Sequence, residues 1–256
     1  EKFPWNSDFY LKHGYYIPDG GLERLKKFDA IFFGAVGSQK VADHVSLWGF
    51  LLKFRREFDQ YVNLRPVRLM PGVPTPLAGR KVGDIDFYVV RENTEGFYAD
   101  RSLFQGSGEF MPTPDLAMSF RKISRLGSTR IAVSAFELAK LRRSKVTAVH
   151  KANVLRVCDG LFLECVREVA AAYPDIEYEE RIVDAMAALL VRDPAPFDVI
   201  VTTNMFGDIL SDLASEIAGS LGLAASLNTG IDMAVAQAQH GSAPDIAGQN
   251  KANPGS

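Results

Sequence analysis

The chain has 256 residues, 47% of them hydrophobic, with 29 Lys and Arg against 31 Asp and Glu. This composition supports a sizeable core in one large or two modest domains, and the near-balanced charge with no long basic stretch argues against a nucleic-acid partner. The longest apolar runs, such as residues 185–191, are far too short to cross a bilayer, and the N-terminus has no basic region followed by an apolar one, so neither a membrane span nor a secretion signal is expected.

In chain order, the patterning predicts a strand over 30–36, a helix over 47–59, a strand over 87–91 and a helix over 115–126. It continues with a strand over 130–133, a helix over 136–142, a strand over 145–149, a helix over 153–173 and a strand over 176–183. A helix over 185–191, a strand over 198–203 and a helix over 208–218 complete the series. Such alternation is the mark of an α/β architecture. Between residues 65 and 83, Pro66, Pro71, Gly72, Pro74, Pro76 and Gly79 preclude regular helix and predict a crossing between two lobes. Loop-rich stretches at 219–230 and 241–256 would return the chain to the first lobe, giving lobes of 1–62 with 219–256 and of 63–218.

The most informative stretch is Asn204-Met205-Phe206-Gly207-Asp208-Ile209-Leu210-Ser211-Asp212. A β-branched run over 198–203 precedes it, and Gly207 is expected at the turn from strand to helix. On a helix, Asp208 and Asp212 stand one turn apart with Cβ atoms about 6 Å from each other, so two carboxylates there repel unless a cation lies between them. Oxygen-only ligands favour Mg²⁺ or Mn²⁺ over zinc, while two solvated acids on a helix face satisfy the same spacing.

Other candidates lie where strands and helices end. Arg55, Arg65 and Arg91 are forks suited to carboxylates, or ordinary surface arginines. Tyr98 and Lys151 are acid/base candidates, or a packed tyrosine and a solvated lysine. Asp184 is a third carboxylate for a cation, or the N-cap of the helix that begins at Ala185. In the loop His240-Gly241-Ser242-Ala243-Pro244-Asp245, small residues would let the backbone approach a ligand, and Asp245 would accept ribose hydroxyls and repel a 2′-phosphate, favouring NAD over NADP. The same loop also reads as a plain turn. Cys158 and Cys165 fall seven apart in a helical pattern, which reads as buried thiols in a reducing cytoplasm.

Taken together, these segments resemble the β-decarboxylating dehydrogenases, the family of isocitrate, 3-isopropylmalate, D-malate and tartrate dehydrogenases. Residues 204–223, NMFGDILSDLASEIAGSLGL, are similar to the family's metal-binding signature, and NLRP, VRENTEG, HKAN and HGSAPDIAG agree in order and spacing. SLWGFLLKFRREFDQYVNLRPVRL, followed by DIDFYVVRENTEG, resembles the tartrate and D-malate branch. From Phe97 onward YADR, HKANVLRV and VDAMAALLV look more like the isopropylmalate and isocitrate branches, and Ala236-Gln237-Ala238-Gln239 departs from the Phe-Glu-Pro-Val of many relatives.

The resemblance implies a two-lobe, isopropylmalate-dehydrogenase-like α/β fold with a mostly parallel central sheet, cut at both ends relative to the family. It implies oxidation of a 2-hydroxy dicarboxylic acid, D-malate or tartrate, by NAD, with loss of the carboxylate β to the new ketone. In these terms Arg55, Arg65 and Arg91 clasp substrate carboxylates, and Asp184, Asp208 and Asp212 hold Mg²⁺ or Mn²⁺. Lys151 takes the hydroxyl proton, Tyr98 protonates the enol, and His240, Gly241, Ser242, Ala243, Asp245 and Asn253 form the cofactor side. Lys151 and Asp184 would reach the site from a second subunit, which implies a homodimer with shared active sites. The alternatives are a 3-isopropylmalate dehydrogenase, with Leu51 and Leu52 lining an apolar pocket, and a non-catalytic fragment that only dimerises.

Overall fold

The structure, a computed structural model, describes residues 1–98 and 108–253. These fall into two units, Glu1–Gln60 with Leu221–Ser256, and Tyr61–Ser220.

The first unit opens on helix α1 (Ser7–His13), which starts where the Asn6 side chain accepts the Phe9 N–H at 2.9 Å and stops at Gly14, whose φ of 80° suits a residue without Cβ. Helix α2 (Gly21–Leu25) and strand β1 (Ala30–Phe33) follow. Helices α3 (Asp43–Ser46) and α4 (Leu52–Glu57) are joined through a π-helical turn, Leu47–Leu51. An aromatic cluster fills this core, with the Phe50 ring 5.1 Å from Tyr16, 5.0 Å from Phe33 and 5.1 Å from Phe54 between centroids.

The second unit begins with strands β2 (Val62–Arg68) and β3 (Asp86–Glu92) and a hairpin of β4 (Glu109–Thr113) and β5 (Leu116–Ser119). It continues through α5 (Arg125–Lys140), β6 (Lys145–His150), α6 (Cys158–Ala170) and β7 (Glu177–Ile182). Helix α7 (Val183–Arg192), β8 (Val199–Thr202) and α8 (Asn204–Ile217) complete it. Its sheet has the order β2-β3-β8-β6-β7, parallel except for the β2 and β3 pair. Val199 and Val201 join the core formed by Ile131 and Phe136 of α5 and Phe162 and Val166 of α6, whereas Ile200 joins Met186 and Leu190 of α7 and Leu210 of α8. Alternate residues of one strand are thus buried on opposite faces, which is why β8 carries no polar residue before Thr202. The chain then re-enters the first unit as the antiparallel pair β9 (Ala225–Thr229) and β10 (Ala234–Ala238), with β10 parallel to β1.

The expected α/β class and mostly parallel sheet are observed, and several local expectations are corrected. Residues 130–133, expected as a strand, lie inside α5: the Ser124 hydroxyl caps the Gly127 N–H at 3.0 Å, and Ile131, Ala132, Ala135, Phe136 and Ala139 form one buried stripe. Helical burial over 16 residues overrides a short β-branched preference. In place of the helix expected over 115–126, residues 116–119 form strand β5, paired through Phe110 and Met118, and helix begins only with α5 at Arg125. The crossing expected from residue 65 is in part strand β2, which runs through Pro66 because proline's φ lies within the extended region. The loop expected over 219–230 contains the whole of β9. Among the described residues no helix is long and apolar enough to cross a membrane.

Candidate active site

Strands β3, β8, β6 and β7 run parallel, so Arg91, the start of α8, Lys151 and Asp184 all lie at their carboxyl ends, the edge where open α/β sheets place their ligands. Thr203 caps α8 in extended conformation and the helix begins at Asn204. Gly207 is therefore inside the helix and not at a turn, as the sequence had suggested. Its role is clearance, since a Cβ there would come within 2.6 Å of Arg91 Cγ.

Arg91 is 2% exposed and Arg65 5%. Asn204 Oδ1 accepts from Arg91 Nε at 3.0 Å and Nη2 at 2.7 Å, while Asn204 Nδ2 donates to the Glu95 carbonyl at 3.0 Å. This fixes the plane of the guanidinium, whose Nη1 pairs with Asp208 Oδ1. Arg65 approaches both acids, with Nη2 3.2 Å from Asp208 Oδ1 and Nη1 3.4 Å from Asp212 Oδ1. Asn63 Oδ1 accepts from Arg65 Nε at 2.7 Å and the Ser211 hydroxyl from Nη1 at 2.5 Å. Both aspartates are thus charge-paired with arginines of the same chain. Burial lowers Arg65 to about 10, with Arg91 adding to the effect and the two aspartates opposing it. Burial also lowers Arg91, opposed mainly by Asp208. Tyr98 completes the group: its hydroxyl donates to Asp208 Oδ2 at 3.1 Å, and the Arg91 guanidinium carbon lies 5.6 Å from its ring centroid.

Lys151 and Asp184 form a second group, with Nζ 2.5 Å from Oδ1, and the hydrogen bond from Lys151 holds the Asp184 carboxyl below its ordinary range. Helix α7 begins at Val183, so Asp184 sits in its first turn and is not its N-cap. Strand β6 lies between β7, which leads to Asp184, and β8, which leads to Asp208, an offset of about 10 Å at ordinary strand spacing. Among the described residues no group of three or more His, Cys, Asp or Glu side chains is placed to hold a metal, so one chain does not gather Asp184, Asp208 and Asp212. Asp208 and Asp212, with side chains 34% and 53% exposed, offer carboxylate oxygens that fit a hard cation as part of its ligand set.

His150 precedes Lys151 and accepts the Ala152 N–H on Nδ1 at 3.0 Å. Burial lowers its pKa, so the unfolded chain takes up the proton first as pH falls. Stability should be full above the ordinary histidine pKa of about 6.5 and decline as pH falls through it toward the folded value. Thermal melts at a series of pH values should show this decline, and His150→Asn, which keeps an acceptor but does not titrate, should flatten it; equal slopes in the two proteins would refute the assignment.

Of the remaining candidates, Arg55 is buried in α4 of the first unit, away from solvent at 7% exposure. In the same unit the Ser242 hydroxyl donates to the Gly37 carbonyl at 3.2 Å, and His240 Nδ1 lies 2.8 Å from the Gly241 carbonyl. Ala243 has a positive φ of 45° ahead of a short 3₁₀ turn, Pro244–Ile246, that carries the exposed Asp245. A recess of about 370 Å³ is lined here by Ser242, Ala243, Ile246 and Gly248 among others, small residues that fit close approach of a ligand such as NAD. Asn253 is exposed just beyond it in sequence. Cys165 is buried and Cys158 half-buried, both as free thiols.

The family model for isocitrate/isopropylmalate dehydrogenase matches residues 2–256. The chain belongs to the isocitrate/isopropylmalate dehydrogenase family. It is 48% identical to the decarboxylating D-malate dehydrogenase of Escherichia coli strain K12 and 47% identical to the tartrate dehydrogenase/decarboxylase of Pseudomonas putida, in each case over 99% of this chain and 71% of the relative. The crystal structure of isocitrate dehydrogenase from Methylococcus capsulatus superposes with a TM-score of 0.85 at 40% identity, covering 98% of this chain and 71% of that one. The structure also brings to this edge residues to which sequence reading assigned no role. Asn63 stands two residues before Arg65 on the same strand face and accepts from it, a relation the local spacing carries; the contacts of Asn204 with Arg91 and of Arg121 with Asp159 join distant segments, which leave no local signal.

Proposed function

We propose that this enzyme catalyses NAD-dependent and Mg²⁺- or Mn²⁺-dependent oxidative decarboxylation of a 2-hydroxy dicarboxylic acid, with D-malate or tartrate preferred over 3-isopropylmalate. The observation that carries the reading is the Arg65, Arg91, Tyr98, Asp208 and Asp212 group at the carboxyl edge of the sheet, in a chain close in sequence to relatives named for D-malate and tartrate. A bound divalent cation, held by Asp208 and Asp212 with Asp184 of a second copy, supplies Lewis acidity toward the substrate hydroxyl, and a nicotinamide bound near His240, Gly241, Ser242, Ala243, Asp245 and Asn253 supplies the hydride acceptor.

The chain's own residues handle charge and protons. Arg65 and Arg91, with Arg55, orient substrate carboxylates; a guanidinium has five N–H donors, more than the contacts Asn204 and Asp208 draw from Arg91. Lys151, coming with its partner Asp184 from the second copy, receives the hydroxyl proton at Nζ, and Asp184 stabilises the ammonium. After the bond to the β-carboxylate breaks and its electron pair enters the ketone, Tyr98 gives its hydroxyl proton to the enol carbon, and the Arg91 cation beside the ring stabilises the phenolate. Dispersal of the three aspartates within one chain supports a homodimer with shared sites. A small-molecule substrate and a cytoplasmic setting complete the proposal. Leu52 is 5% exposed, which leaves it little surface for an isopropyl group, while Leu51 is partly buried against the first-unit core.

NADH formation measured with D-malate, tartrate and 3-isopropylmalate in separate reactions, with Mn²⁺ and again with excess chelator, tests the reading. Chelator-sensitive turnover of D-malate or tartrate is expected. Preference for 3-isopropylmalate would reassign the branch, and silence with all three substrates would favour a non-catalytic chain.

A further inference from the structure

We propose that Asp159 and Arg121 are positioning residues for Lys151, an inference that rests on the proton-accepting role proposed above. Asp159, in the first turn of α6, is fully buried at 0% exposure. Its Oδ2 accepts the Lys151 backbone N–H at 2.6 Å, and its Oδ1 pairs with Arg121, whose side chain is 6% exposed. Arg121 in turn donates from Nη2 to the Thr203 hydroxyl at 2.8 Å and stacks its guanidinium 5.1 Å from the Phe206 ring centroid. Both partners belong to the entry of α8, five and two residues before Asp208.

One buried network therefore ties the loop after β6, the start of α6 and the start of the helix carrying Asp208 and Asp212. Stability alone does not demand it, because an apolar pair of similar volume commonly serves a core as well as a buried ion pair does. What the carboxylate adds is a charged acceptor on the Lys151 main chain. Lysine reaches its ammonium through a flexible four-carbon stem, so the backbone origin and the Asp184 contact together decide where Nζ stands. A displacement of about 1 Å at that point is enough to cost on the order of 10²-fold in rate.

The test compares two double variants of the full chain. Arg121→Met with Asp159→Leu removes the acceptor while keeping the core filled; Arg121→Gln with Asp159→Asn removes the charges but keeps a side-chain oxygen for the Lys151 N–H. In the apolar variant, a retained melting temperature, an unchanged KM for the hydroxy acid, a kcat lower by on the order of 10²-fold and faster hydrogen exchange of the Lys151 amide are expected. The polar variant should recover most of kcat and the amide protection. Wild-type kcat or wild-type amide exchange in the folded apolar variant would overturn the inference, as would equal losses in both variants. Absence of turnover in the unsubstituted protein would overturn the proposed function and the positioning role together, and it is told apart by arising before any substitution is made.

Discussion

Arg91→Lys is expected to lower kcat/KM by about 10²- to 10³-fold, the equivalent of breaking one buried, hydrogen-bonded ion pair. Arg91 serves three partners at once: Asn204 through Nε and Nη2, Asp208 through Nη1 and the Tyr98 ring by proximity. A lysine carries the same charge at a single point and has no planar fork, so it cannot bridge Asn204 and Asp208 together. Gly207 shows how closely the arginine is fitted, because its lack of a Cβ is what lets the Arg91 stem lie against α8. Steady-state kinetics with the preferred hydroxy acid would check the result, and a lysine variant with near wild-type kcat/KM would remove Arg91 from the machinery.

Phe136→Ala is expected to cost about 3–5 kcal/mol of stability, the largest effect of any single truncation considered in this core. The side chain is fully buried in α5, with its ring 5.2 Å from Tyr173 and 6.1 Å from Tyr178, so its removal empties space between a helix and the sheet that rigid neighbours do not refill. Urea unfolding followed by circular dichroism would measure the loss; a shift below about 1 kcal/mol would mean the core closes over the gap.

Much of this arrangement was legible in the residues alone. The alternation of strand-like and helical periods identifies an α/β chain, because burial on a helix repeats every 3.6 residues and on a strand every two. The same rule puts Asp208 and Asp212 on one side of α8, since that relation depends only on the local helix. Local signals misled where tertiary burial opposed them. The run Arg130-Ile131-Ala132-Val133 has strand character but is helical because Ile131 and Ala132 face a core shared with Phe162 and Val166. Strand β10, Ala-Val-Ala-Gln-Ala, lacks strand composition and owes its conformation to pairing with β1 and β9.

For the site, the residue types were readable and their partners were not. Paired acids one turn apart on a helix read either as ligands of a divalent cation or as two solvated acids, and the spacing alone did not choose between them. Tertiary structure decided that Arg65, 143 to 147 positions away, spans both acids, that Asn204 orients Arg91, and that Asp184 stands with Lys151 two strands from Asp208. The division has one cause: periodicity is written in neighbouring residues, whereas an ion pair between distant segments exists only after the sheet has set its strand order.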